Sequence, residues 1–265
     1  MKTNKTQIIR TIIQSVFLIL GFGIVALIIY TRKVSIHAFC PYAVICFGLN
    51  KLWFIRITEA VFAITIVAGF AIFIYTIFYG RKFCGYICPL GSFQEGLFSY
   101  HSRKYRKKHK IMRFYELKLR MGKYLILLIT SLMAISGIAY IYMNSCPLVI
   151  LSRAPIFGIL GFLILLFIAV NAFFIDRFFC RWLCPYGALL NIAQHLGRLF
   201  RIPRKMLHRN IERCIDCGIC MEYCPMNIHL LEQEVVEDVN CIHCHVCDAV
   251  CPKQGVLSDE RCEDN

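Results

Sequence analysis

Four stretches of the chain stay apolar for long enough to leave no polar face. They run from about Thr11 to Tyr30, Trp53 to Tyr79, Tyr124 to Met143 and Ile156 to Ile175. About 20 helical residues cross a hydrocarbon core of roughly 30 Å. Lipid offers backbone groups no partners, so each stretch predicts a membrane-spanning helix. The first begins with basic residues, as a secretory signal does. Its apolar core is too long for one, and no small-x-small cleavage site follows in Ile29–Arg32, so it is expected to remain as an anchor.

Composition agrees with the pattern. Hydrophobic residues make up 58% of the 265 residues and charged residues 17%. Soluble domains run at roughly 45–50% and 25%, so a purely soluble protein is not expected. Charge divides the chain. Residues 1–200 hold 23 Lys and Arg against 4 Asp and Glu, whereas residues 201–265 hold 7 against 12. Two domains are expected: a four-helix membrane domain over 1–200 and a small α+β ferredoxin-like domain over 201–265.

The basic residues also orient the spans. The link between the second and third spans carries Arg103, Lys104, Arg106, Lys107, Lys108 and Lys110. Arg177, Arg181, Arg198, Arg201, Arg204 and Lys205 follow the fourth, while the link between the third and fourth has only Arg153. The first outer loop does carry Arg32, Lys33, Lys51 and Arg56, but the inner excess is larger. By the positive-inside rule both termini are cytoplasmic, in a prokaryotic inner membrane. The same basic run could suit nucleic acid, but a run flanked by two spans is the topology signal, and no nucleic-acid partner is expected.

An internal repeat lies at an offset of 96 residues. Arg81-Lys82-Phe83-Cys84-Gly85-Tyr86-Ile87-Cys88-Pro89-Leu90-Gly91 matches Arg177-Phe178-Phe179-Cys180-Arg181-Trp182-Leu183-Cys184-Pro185-Tyr186-Gly187. Each copy closes a pair of spans, and each pair has an outer Cys-Pro, Cys40-Pro41 and Cys146-Pro147. Two spans per half give both halves one orientation, so the pseudo-two-fold runs along the membrane normal. Cys84, Cys88, Cys180 and Cys184 would then meet at the cytoplasmic rim. Four thiolates complete one [4Fe–4S] cluster, held here or shared with another subunit. The alternative is structural: Pro at the first position of an interfacial helix, with Cys as a small apolar residue. The helices beginning near Ser92 and Ala188 look amphipathic and should lie along the membrane surface.

The acidic tail holds two complete cysteine runs. Cys214, Cys217, Cys220 and Cys224-Pro225 are followed by Cys241, Cys244, Cys247 and Cys251-Pro252. In the two-cluster ferredoxin pattern three cysteines hold one cube and the fourth ligates the other. Cluster one should use Cys214, Cys217, Cys220 and Cys251, and cluster two Cys241, Cys244, Cys247 and Cys224. Disulfides are disfavoured in the cytoplasm, and zinc prefers paired two-cysteine units. Cys241-Ile242-His243-Cys244-His245 also spells the c-haem attachment pattern, but within a complete cluster run. His243 and His245 are expected to be solvated or to back up the ligands. Cys40, Cys46 and Cys146 face the outer side, where a disulfide (Cys40–Cys146 or Cys40–Cys46) or a metal ligand role fits. Cys262 receives no role. Arg56 and Glu59 form an i to i+3 pair or a functional intramembrane site, His37 is placed to serve a quinol, and Asp176 pairs with Arg177.

These residues resemble the NapH-type membrane polyferredoxins, with their wider NosR-like and CcoG-like relatives. Phe83-Cys84 to Leu90, Phe179-Cys180 to Ala188 and the two tail runs carry the likeness from about Ile12 to Leu257. The resemblance implies a redox subunit of a quinol dehydrogenase or oxidoreductase complex. It would exchange electrons between membrane quinone or quinol and an iron–sulfur, flavin or haem protein. The chain lacks the large extracytoplasmic flavin-binding region of NosR-like members and the extra C-terminal domain of CcoG-like ones. Rival readings are a metal-reducing maturation factor using Cys40, Cys46 and Cys146, and a redox-sensing regulator.

Overall fold

The computed structural model describes residues 5–31, 42, 60–108, 112–136 and 154–262. Cys40, Cys46 and Cys146 lie outside the described residues, as do His37, Arg56 and Glu59. The described chain is helix-rich, with a small two-stranded ferredoxin-like segment at its end.

Four helices follow the apolar stretches: α1 (Lys5–Thr31), α2 (Ala60–Tyr79), α6 (Arg113–Ile135) and α7 (Ala154–Phe174). Among the described residues one helix is long and apolar enough to cross a membrane by length and composition, over Lys5–Ile24 of α1. Ile66–Tyr79 of α2 is a shorter apolar stretch. Helix α6 starts at Arg113, well ahead of the apolar run expected from Tyr124. Glu116, Arg120 and Lys123 share one of its faces at helical spacing, and all three are buried. Packing of that face carries the helix into a segment whose composition reads as a polar link.

Each repeat folds in the same way. Gly80, at φ +68°, turns the end of α2 into the short helix α3 (Lys82–Tyr86). Cys88 then caps α4 (Pro89–Ser99), with Pro89 at the first helical position. After α5 (Arg103–Lys108) and α6, the second half repeats the pattern. There α7 leads to α8 (Phe178–Trp182), and Cys184 caps α9 (Pro185–Leu199), again with Pro first. Pro suits that position because its missing N–H has no helical partner to lose. Both helices thus begin three residues before the positions expected at Ser92 and Ala188. The halves are interleaved: α4 of the first packs on α7 of the second, and α9 of the second packs on α2 of the first.

The tail is built on β1 (Arg204–Arg209) and β2 (Leu257–Cys262), antiparallel, with Arg204 opposite Cys262 and Arg209 opposite Leu257. Two short helices, α10 (Ile219–Tyr223) and α11 (Val246–Ala249), follow the turns of the two cysteine runs. The residues after the last run are therefore the second strand of the sheet rather than a trailing end. One buried apolar cluster joins Leu207, Met226, Ile228 and Ile242 of the tail to Tyr186, Leu190 and Cys84 of the repeats. Tyr42 joins it too, edge-on to Tyr186 at 6.5 Å and hydrogen-bonded to Thr130 Oγ1.

Candidate metal centres

The two CxxxCP segments meet. Cys84 and Cys180 are buried, and Cys88 and Cys184 are partly buried. Burial pushes the Cys88 thiol up, and the charges of Cys180, Cys84 and Cys184 add to it. Burial likewise raises Cys184, with Cys180 and Cys84 next in effect. Four buried sulfurs within electrostatic reach of one another cannot all be anionic without a compensating positive charge.

Part of that charge is built in. Arg81 and Arg177, equivalent in the repeat, are both completely buried. Arg81 Nη2 lies 3.7 Å from Cys84 Sγ, and its Nη1 donates to Asn191 Oδ1 at 3.0 Å. Burial works against its charge, but Cys84, Cys184 and Cys180 outweigh it and hold the guanidinium above its ordinary value. Arg177 donates to the Cys84 carbonyl at 2.6 Å and pairs with Glu95. Each arginine crosses into the other half beneath a repeat glycine. A Cβ on Gly187 would stand 2.7 Å from Arg81 Nη2, and one on Gly91 3.0 Å from Arg177 Nη1. The glycines matched in sequence are thus the places where the two halves interlock.

Backbone and side-chain N–H groups also reach the sulfurs. Gly187 N–H donates to Cys184 Sγ at 3.3 Å, and Gln94 Nε2 to Cys180 Sγ at 3.5 Å. Among the described residues no group of three or more His, Cys, Asp or Glu closes round a single metal ion. A four-iron cube offers each thiolate a different iron, so its ligands stand farther apart than those of one ion. The donor set fits such a cube: four free thiols, buried, with cationic and N–H partners.

The tail presents two cavities. One is walled by Cys214, Cys217, Cys220 and Cys251, the other by Cys224, Cys241, Cys244 and Cys247. The spacing-derived sets, including the exchange of Cys224 and Cys251, are thus the sets brought together. Left-handed residues bend each run: Asp216 and Gly218 in the first, His243 and His245 in the second. Two such turns bring three thiols, spaced three residues apart, to one cavity, at a backbone cost that a non-glycine residue must bear. Burial pushes Cys220 and Cys244 up to about 11.

Two expectations are corrected. Of the two roles expected for His243, solvation is overturned: it is buried against Gly80, and burial together with the Lys82 ammonium pushes it down to about 4. Asp176 does not bond to the Arg177 side chain. It faces Arg106 at 3.7 Å, because Arg177, at φ +50°, turns inward to Glu95.

The tail is fastened by charges that motif reading passes over. Arg120 Nη1 donates to Asp238 at 2.9 Å and its Nη2 to the Met226 carbonyl at 2.7 Å. Glu116 receives Arg181, Arg120 and Trp182 Nε1. Lys123 and Asn191 both reach Asn240 Oδ1. Arg103 of the basic run pairs with Glu222 at 2.6 Å, so part of that run docks the acidic tail. A signal was available, because Glu95, Glu116 and Asp176 are three of only four acids in residues 1–200. An acid in so apolar a segment needs a buried partner.

A 4Fe-4S binding domain family matches residues 60–108 and 157–203, one segment in each repeat, and a second such family matches residues 208–228. YccM of Escherichia coli, named for electron transport, is 29% identical over 86% of this chain. The ferredoxin-type protein NapH of Haemophilus influenzae is 28% identical over 62% of it. The chain is thus similar to ferredoxin-type and electron-transport proteins and carries matches to 4Fe-4S binding domains in both repeats and in the tail. MJ0750 of Methanocaldococcus jannaschii is 26% identical over 96% of this chain, which spans 95% of that protein. By contrast the chain spans 64% of YccM and 54% of NapH. No solved structure matches it.

Proposed function

We propose that the protein is a multi-pass membrane subunit that carries electrons between quinol or quinone and a protein partner. Residues 1–200 form its membrane part, with four spans and both termini cytoplasmic, and residues 201–265 its ferredoxin part. The observation that carries this reading is the meeting of Cys84, Cys88, Cys180 and Cys184 around two buried arginines. A structural role for these cysteines gives no reason to bury two guanidinium groups beside them, at a cost of several kcal/mol each when unpaired.

The quartet would hold one [4Fe–4S] cluster, and the two tail cavities one each with the ligand sets given above. Bound there, such clusters supply one-electron chemistry at potentials tuned by charge, hydrogen bonds and exposure. Arg81 and Gln94 set the charge and hydrogen bonding at Cys84 and Cys180, and the buried apolar cluster keeps water from the thiols. Quinol oxidation releases two electrons and two protons. The electrons pass singly to an iron–sulfur, flavin or haem partner, and the protons leave to water. The maturation-factor reading draws on Cys40, Cys46 and Cys146, outside the described residues, and no described observation favours it or the sensor reading.

Iron and acid-labile sulfide analysis of detergent-solubilised protein, purified without oxygen, tests the reading. About twelve irons per chain follow from three cubes of four. About eight would confine the metal to the tail and refute the third site.

A further inference from the structure

The two repeats share a backbone, so the ferredoxin segment meets two similar landing places, and side chains decide which one it takes. We infer that the first repeat is the electron junction. The Ile242–His243 turn of the second cavity docks into a notch left by Gly80 and Gly85, and Gly85 is the positioning residue of that contact. This deepens the electron-transfer reading above and rests on it.

A Cβ on Gly85 would stand 2.6 Å from the Ile242 carbonyl oxygen, and one on Gly80 2.5 Å from His243 Nε2. Neither approach is open to a residue with a side chain, and Gly80 also needs its positive φ. The equivalent positions in the second repeat are Asp176 and Arg181, both buried and engaged with Arg106 and Glu116. That landing place is filled by its own side chains. Around the notch, Arg10 donates to the Gly85 carbonyl at 3.1 Å and Gln7 to the Cys244 carbonyl at 2.8 Å. Lys82 faces Asp259 at 3.5 Å.

The contact is well placed for electron transfer. Gly85 adjoins Cys84 of the quartet, and Ile242 adjoins Cys241 of the second cavity. A single peptide on each side therefore separates the two thiol sets from a van der Waals contact. With clusters held at both sites, this contact would let one electron pass from the quartet to the second cavity, oxidising the first and reducing the second, with no bond made or broken. The first cavity, in contrast, has Cys217 exposed, which leaves it open to a partner.

Gly85→Ala in the full-length, detergent-solubilised, iron-loaded protein tests this, with Gly96→Ala as control, since a Cβ on Gly96 meets nothing within 4 Å. Amide hydrogen exchange over residues 80–88 and 241–247 should lose protection in Gly85→Ala and stay unchanged in the control. Iron content should equal the parent's in both. Paired serine substitutions then distinguish the cavities by electron paramagnetic resonance of the reduced protein. Replacing Cys241 and Cys244 should abolish the relaxation enhancement of the quartet signal, whereas replacing Cys214 and Cys217 should leave it. Unchanged exchange in Gly85→Ala, or an enhancement that disappears with the first cavity and survives loss of the second, overturns the inference. A parent with only about eight irons would count against the quartet cluster, and the exchange result would still decide the docking.

Discussion

The two halves of the repeat share Arg, Phe, two Cys, Pro and Gly, yet use the remaining positions in opposite ways. Where the first half has Gly80, Gly85, Gln94 and Glu95, the second has Asp176, Arg181, Leu190 and Asn191. The shared residues build what must be symmetric: the quartet and the reciprocal crossing of Arg81 and Arg177 beneath Gly187 and Gly91. The differing residues assign neighbours. The first half gathers Arg10 and Arg177 on Glu95 and opens a notch for the tail. The second sends Arg181 to Glu116 and Asn191 to Arg81, Tyr124 and Asn240. Duplication brings four cysteines together where the halves meet, and divergence of their surroundings gives the two halves different neighbours.

The largest expected effect comes from removing the anchor of the second half. Glu116→Ala leaves Arg181 buried without its anion and Arg120 with Asp238 alone, and breaking such a buried pair costs about 3–5 kcal/mol. Thermal unfolding in detergent, followed by circular dichroism, should show a clearly lowered midpoint. An unchanged midpoint would mean that Glu116 does not hold the tail. Next is the first half's own anion. Glu95→Gln keeps the shape but takes the charge from Arg10 and Arg177, a loss of about 1.5–3 kcal/mol for hydrogen bonds to a charged group. If it proves neutral, the asymmetry at this position has no energetic content.

The same two halves should respond to pH with opposite signs. Burial opposes ionisation of Glu95, but Arg177 and Arg10 outweigh it and hold the carboxyl at about 2. Its contribution is present above the ordinary carboxylate range and lost as pH falls toward 2. Asp176 is raised to about 7, first by burial and then by the Glu95 charge. Its contribution is complete below the ordinary carboxylate range and lost as pH rises through 7. The parent's unfolding midpoint should therefore lose ground relative to that of Asp176→Asn as pH rises from the ordinary carboxylate range to about 7. Equal slopes in both proteins would show that Asp176 does not titrate there. The smallest effect is expected from Arg103→Ala. This side chain is open to solvent, and its pairing with Glu222 is screened by salt. A large destabilisation there would move the docking energy from the buried contacts to the basic run.

The grouping of the cysteines was legible because those that gather in space sit close in sequence or at the repeat offset. Two four-cysteine runs and an offset of 96 specify which thiols belong together before any fold is known. The exchange of Cys224 and Cys251 follows from that spacing, and the two cavities gather those sets. The start of α6 was not legible, since Arg113 to Lys123 is polar and becomes helical by packing one face on the tail. His243 reads as a surface residue until Gly80 is found against it. The burial of Arg81 and Arg177 was hinted at by their match in the repeat. Their crossing into opposite halves depends on tertiary contacts 93 and 110 residues apart in the chain, which no local pattern records.

The central claim is that the junction of the repeats is a metal site. Its most direct test compares iron and labile sulfide in the parent with those in a Cys84→Ser, Cys180→Ser double variant, both purified without oxygen. The account predicts about twelve irons in the parent and about eight in the variant, one cube fewer. Equal iron in the two proteins would contradict it and leave the four rim cysteines as packing residues.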